Sequence, residues 1–170
     1  MSTNWLRYSL FFISLIILQI WILNRIHLFG IAIPLFYVYF ILKLPANLGR
    51  NSLLFVACIF GLILDFFSYK LGFNMLACTV MGFSRYYIFN AFAPRDMANA
   101  FIPSIETFGL PLFMRYAVIL TAIHHTVFFI AESFTFHDPF TLFLKIAGST
   151  VLTVLLIWGT EQLKLEFLNK

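Results

Sequence analysis

An all-α, polytopic membrane bundle of six transmembrane helices is the fold class this chain predicts, and three observations carry the prediction. Hydrophobic residues make up 62 % of the 170 residues and charged residues only 11 %, against roughly 25 % charged in a soluble protein. A soluble domain of this size has no means of hiding so much apolar surface. The apolar residues gather in runs of about 17 to 25, the length that crosses a hydrocarbon core about 30 Å thick. Turn-forming and charged residues mark the breaks between runs. One such bundle exhausts the length, so residues 1–170 read as a single transmembrane domain.

The elements follow in order. Span one covers residues 5–23. Its end lacks a small-x-small cleavage site, so it reads as a retained span rather than a removed leader. The polar piece Asn24-Arg25-Ile26-His27 interrupts it. Span two covers residues 28–44 as a helix, with Pro34 near its start, where a missing N–H suits a helix beginning or a kink. Pro45, Asn47 and Gly49 make a turn. Span three covers residues 52–69 and span four residues 72–92, joined tightly through Lys70-Leu71-Gly72. The long polar interval 93–109 reads as a loop with an interfacial helix around residues 97–101. Span five covers residues 110–134. Asp138-Pro139 then starts the last helix, as an N-cap followed by proline at the first helical position. Span six covers residues 140–163.

Charge patterning sets orientation and excludes one class of partner. The net charge is +4, but the basic residues sit singly at run ends and build no nucleic-acid patch. With the N-terminus inside, Arg7, Lys43, Arg50, Arg85, Arg95, Arg115, Lys164 and Lys170 lie on the cytoplasmic side, against Arg25, Lys70 and Lys145 outside. That asymmetry places both termini in the cytoplasm. Cys58 and Cys78 lie within apolar runs with no CxxC spacing and read as buried small residues.

Polar residues inside the spans are the candidate site. Asp65 stands within span three, where an ionised carboxylate at a bilayer centre costs about 3 kcal/mol and must face protein or water. Cys58, Gly61, Asp65 and Ser68 form one small or polar helical stripe, a face that admits a second helix closely and offers it hydrogen bonds. Asp65 then braces the turn into span four, through Asn74 or nearby N–H groups, or contacts a ligand or partner, or serves in a proton relay. Gly72 and Asn74 complete this group. At about 1.5 Å per residue Arg85 lies roughly 10 Å from the depth of Asp65, so Arg85 is expected to snorkel to headgroups with Tyr86 and Tyr87 rather than pair with it. Gln19, His124, His125 and Glu132 are secondary polar candidates. The adjacent histidines point about 100° apart and their spacing to Glu132 is not that of a metal-binding helix, so interhelical hydrogen bonds are expected and no metal or other cofactor.

The residues also carry a family resemblance. Gln19 in the first span, Ile33-Pro34 after a short loop, and above all Gly61-Leu62-Ile63-Leu64-Asp65-Phe66-Phe67-Ser68-Tyr69-Lys70-Leu71-Gly72-Phe73-Asn74-Met75-Leu76 resemble the MreD family of bacterial rod-shape membrane proteins. Gly61, Asp65 and Gly72 match that family's glycine, aspartate four residues on, and glycine opening the next helix. Leu35 departs from it, standing where the family places a polar residue after the proline. The resemblance implies a non-enzymatic scaffold of the cytoplasmic membrane. Its direct partner would be an MreC-like single-span protein, with MreB, RodA and a penicillin-binding transpeptidase linked indirectly. It also implies a fold similar to the S-components of vitamin transporters, which makes a small-molecule-binding transporter subunit the alternative function. Gly82-Phe83-Ser84-Arg85 superficially resembles the serine motif of rhomboid proteases. Those need glycine where Arg85 stands, because the backbone there must donate to an oxyanion, so no hydrolase activity is expected.

Overall fold

The computed structural model describes residues 2–25, 32–69, 72–92, 102–133 and 138–168. Among these residues there are α-helices and no strand. Helix α1 is Ser2–Trp21, closed by a 3-10 turn at Leu23–Arg25. Then come α2, Val38–Leu42; α3, Arg50–Ser68; α4, Phe73–Phe92; α5, Ile105–Phe108; α6, Leu110–Glu132; and α7, Pro139–Leu168. Three stretches, Arg50–Ser68, Leu110–Glu132 and Pro139–Phe167, are long and apolar enough to cross a membrane, and α1 adds a shorter apolar stretch, Leu10–Trp21. Helix α4 packs on α3 on one side and α6 on the other, and α6 packs on α7.

The outward faces are apolar. Phe55, Ile59, Leu62 and Phe66 are exposed at successive turns of α3, while Leu53, Ala57, Phe60, Gly61, Leu64 and Asp65 are buried on its other side. Polar residues inside and large apolar side chains outside reverse the pattern of a surface helix in water and suit hydrocarbon as the surrounding medium.

The expected continuous helix over residues 28–44 is not what forms. Residues 32–37 are not helical and only Val38–Leu42 coils into α2; residues 28–31 lie outside the described residues. Pro34 therefore sits neither at a helix start nor at a kink but in an extended stretch. The physical reason lies in distant helices, because side chains of α1 and α7 take over the backbone groups that a helix would satisfy internally. The expected interfacial helix at residues 97–101 also lies outside the described residues. The following stretch forms α5, closed at its start by a capping box in which the side chains of Ser104 and Thr107 each accept the other's backbone N–H.

Helix α7 begins as its sequence predicts. Asp138 Oδ1 accepts the N–H groups of Phe140 at 3.1 Å and Thr141 at 3.2 Å, and Asp138 also accepts the Thr141 hydroxyl. The hydrogen bonds from the Thr141 hydroxyl and N–H hold the Asp138 carboxyl below its ordinary value. A depressed carboxyl stabilises the fold at neutral pH, and this contribution is lost as pH falls through the lowered value. Melting of the purified protein followed from pH 7 down to about pH 3 should therefore show an acid-side loss of stability that is smaller in Asp138→Asn. Identical profiles would mean that the cap contributes nothing.

Candidate functional site

The α3–α4 joint is built by Gly61, Asp65, Gly72 and Asn74. Helix α3 ends with Tyr69 in the left-handed region at φ 52°, its N–H bonded to the Asp65 carbonyl. Gly72, at φ 81°, opens α4 and accepts the first helical bond, from Leu76 N–H at 3.0 Å. The first N–H groups of a helix have no partner within it. Asp65 reaches across from α3 to supply one: Oδ1 accepts the backbone N–H of Asn74 at 3.0 Å and its side-chain amide at 2.9 Å, and Oδ2 accepts the N–H of Met75 at 2.8 Å. The carboxylate also faces the positive end of the α4 dipole. Asp65 is buried, and its bracing role at the turn is the one directly visible. Gly61 makes this approach feasible, because a Cβ there would lie 2.5 Å from the Met75 Cα and 2.6 Å from the Asn74 carbonyl oxygen. Ser68 is half-buried on the last turn of α3.

From Asn74 the network runs inward. Tyr37 donates its hydroxyl proton to Asn74 Oδ1 at 2.6 Å, and the same hydroxyl lies 3.3 Å from His124 Nε2. The Cys78 Sγ lies 3.7 Å from that nitrogen. His125, one residue on, serves a different neighbour. Its Nδ1 is 2.7 Å from the Thr121 carbonyl and must carry the proton, which leaves Nε2 as acceptor for the Thr153 hydroxyl at 3.3 Å. The two histidines thus tie α6 to α4 and the 32–37 stretch on one side and to α7 on the other. Glu132 is half-buried at the end of α6. Among the described residues no cluster of three or more His, Cys, Asp or Glu side chains is placed to hold a metal.

The unwound stretch is held by side chains. Ile33 donates its N–H to Ser149 Oγ at 3.0 Å and Leu35 donates to Thr153 Oγ1 at 3.1 Å. Gln19 Nε2 donates to the Pro34 carbonyl at 3.0 Å. Backbone groups held away from water need such partners. At the other end of the segment Arg85 is only 2 % exposed. Its Nε donates to the Tyr116 hydroxyl at 2.9 Å, its guanidinium donates to the Leu44 carbonyl, and Tyr116 donates to the Leu42 carbonyl at 3.3 Å. Arg85 does not snorkel to headgroups. The carbonyls left unpaired at the C-terminal end of α2 need donors, and the guanidinium and the Tyr116 hydroxyl supply them from within the bundle.

A second charged cluster lies on α7. Glu161 is 1 % exposed. It accepts the Tyr39 hydroxyl at 2.5 Å and the Ile105 N–H at 3.1 Å, and pairs with Lys43 at 2.5 Å. One carboxylate therefore joins α7, the α2 segment and the start of α5. The sequence reading does not single out Glu161, Ser149 or Thr153, and uses Lys43 only as an orientation marker. A signal was present: Ser149, Thr153 and Glu161 recur at steps of four and eight, one polar stripe on the last apolar helix.

The structure thus brings Gly61, Asp65, Gly72, Asn74 and His124 to one joint, sets Gln19 against the unwound stretch and His125 against Thr153 of α7, and leaves Arg85 apart from Asp65 with its own partners. Replacing Asp65 by Ala strips three hydrogen bonds from a buried helix start and is expected to cost about 2–4 kcal/mol, with Asp65→Asn retaining part of it. Chemical or thermal unfolding in detergent measures both; equal stability of Asp65→Ala and the parent would contradict the bracing role. No protein-family model, curated protein or solved structure matches the chain.

Proposed function

We propose that this chain is a non-enzymatic, six-pass scaffold of the bacterial cytoplasmic membrane, with both termini in the cytoplasm. It binds an MreC-like single-span partner and through it helps regulate lateral peptidoglycan synthesis. Three helices are long and apolar enough to cross a membrane, and on this reading α1, α4 and the segment through α2 make the other three passes. The observation that carries this reading is where the polar chemistry goes. Asp65, Asn74, Arg85, His125 and Glu161 are spent on joining the bundle's own segments. The surface left for contact is large and apolar, which suits the packing of another membrane helix. Residues 34–44 are buried throughout and fill the middle of the bundle. That favours a scaffold over a carrier with a central pocket.

Co-purification tests the reading. A tagged full-length chain, extracted in detergent from cells that also express an MreC-like protein, should retain that protein in stoichiometric amount. Its absence removes the scaffold assignment. The same preparation, extracted for small molecules, tests the transporter alternative. A vitamin-sized compound held at one per chain, and lost in Asp65→Asn, would move the assignment to a binding subunit.

A further inference from the structure

Arg50 opens α3 and Tyr87 lies near the end of α4. Gly82 stands against Ala57 and Gly61 against Met75, so the two helices run antiparallel and bring both side chains to one end of the bundle. Both are exposed. Arg50 Nη1 donates to the Tyr87 hydroxyl oxygen at 3.4 Å, a long and therefore weak hydrogen bond. Among the described residues the ion pair is Lys43 with Glu161, and no carboxylate pairs with Arg50. The guanidinium keeps its full charge and most of its N–H groups for a partner outside the chain. The Tyr87 hydroxyl accepts from Arg50 and still has its own proton to donate.

Beneath this cation α4 presents an apolar strip. Leu76, Val80, Phe83 and Tyr87 recur at steps of four, three and four, which is one helical face. Leu76, Phe83 and Tyr87 are exposed and Val80 is half-buried. The Phe83 and Tyr87 rings meet edge to face with centroids 5.1 Å apart, and Tyr86 packs against Tyr87 at 5.5 Å. From Tyr87 to Leu76 the helix runs about 16 Å. One leaflet of a hydrocarbon core about 30 Å thick is about 15 Å deep. A cation and a hydroxyl at one end of a strip one leaflet long match an amphiphile with an anionic head.

We propose that Arg50, Tyr87 and Phe83 bind an anionic phospholipid of the leaflet at that end of the bundle. The phosphate meets the planar guanidinium, whose paired N–H groups suit two phosphate oxygens, and accepts the Tyr87 hydroxyl proton. An acyl chain lies along Phe83, Val80 and Leu76. The ring of Tyr87 fits the boundary, with its body in hydrocarbon and its hydroxyl among headgroups. Charge sets the choice of head. A choline head brings a quaternary ammonium beside Arg50, whereas a glycerol head adds no positive charge. The length of the strip favours a lipid over an acidic protein segment, which would need the cation alone. Binding of this kind does not depend on the scaffold reading or on which side of the membrane this end faces.

Lipid titration of the full-length chain, purified and stripped of lipid in uncharged detergent, tests it. Dioleoyl phosphatidylglycerol should raise the melting temperature in a saturable way, and dioleoyl phosphatidylcholine should not. Arg50→Gln should raise the phosphatidylglycerol concentration needed for half the effect about tenfold, and Tyr87→Phe about threefold. Arg50→Lys keeps the charge without the planar fork; it should fall between Arg50→Gln and the parent, and it carries the same test if the glutamine variant does not fold. Arg115→Gln removes another exposed arginine, on α6, and should leave the midpoint unchanged. Equal stabilisation by the two lipids overturns the proposal, as does an Arg50→Gln midpoint equal to the parent's or an Arg115→Gln midpoint shifted as far. Glycerol phosphate, the head without the chains, should have no effect at the same concentrations. Stabilisation equal to the lipid's, by glycerol phosphate or by a hexaglutamate peptide, overturns it as well, because the apolar strip would then take no part.

Discussion

Gly61→Ala, one added methyl, is expected to destabilise the protein by about 3 kcal/mol or more. The new Cβ would lie 2.5 Å from the Met75 Cα, 2.6 Å from the Asn74 carbonyl oxygen and 2.7 Å from the Met75 nitrogen. All three atoms are backbone, so no side chain can rotate aside and the helices must part. Parting them lengthens the hydrogen bonds that Asp65 makes to those same two residues, because contact and cap share one place. Packing and capping therefore fail together and the losses do not add as independent terms. Two other glycines calibrate the result. At Gly82 a Cβ would meet the Ala57 Cβ at 2.9 Å, a methyl group, and at Gly159 nothing lies within 4 Å. The order of melting temperatures in detergent should be Gly159→Ala highest, then Gly82→Ala, then Gly61→Ala. On the scaffold proposal, Gly61→Leu should also abolish retention of the proposed MreC-like partner. A Gly61→Ala protein as stable as Gly159→Ala would mean that α3 and α4 do not touch as described.

Removing Glu161 is expected to have an effect of similar size for a different reason. Glu161→Ala leaves the Lys43 ammonium buried without its counter-charge, and deprives the Tyr39 hydroxyl and the Ile105 N–H of their acceptor. Breaking one side of a buried ion pair costs about 3–5 kcal/mol, whereas replacing both sides by apolar groups of like volume is often close to neutral. The double change Lys43→Met with Glu161→Leu should therefore recover much of what Glu161→Ala loses, although the two hydrogen bonds stay broken. Because Ile105 opens α5, limited proteolysis should cut near residues 102–110 faster in Glu161→Ala than in the parent. Unfolding measured on all three proteins decides the point; a double variant no better than Glu161→Ala would show that the charge pair is not the source of the loss.

Much of the α3–α4 joint was legible in the chain. An aspartate within an apolar run must find donors, and a glycine and an asparagine at the start of the next run mark where donors are. Asp138-Pro139 was legible for the same reason, since a cap and its helix are neighbours in sequence. Arg85 was not. Its depth pointed to headgroups, yet its partners are the Leu44 carbonyl just past α2, 41 residues away in sequence, and the Tyr116 hydroxyl on α6, which only the packing of those segments brings beside it. Glu161 escaped notice because the rule applied to Asp65, that an intramembrane carboxylate must have a named partner, was not carried to the end of the last apolar run.

The sequence by itself determined the all-α class and the three helices long and apolar enough to cross a membrane, because run length and hydropathy are local properties. It also determined where α3 turns into α4, since glycine, aspartate and asparagine act there on their immediate neighbours. Only the tertiary structure decided that the second apolar run is part extended. Residues 32–44 are apolar enough for either conformation, and the choice belongs to hydroxyls on α7 and an amide on α1 that compete for the same N–H and C=O groups.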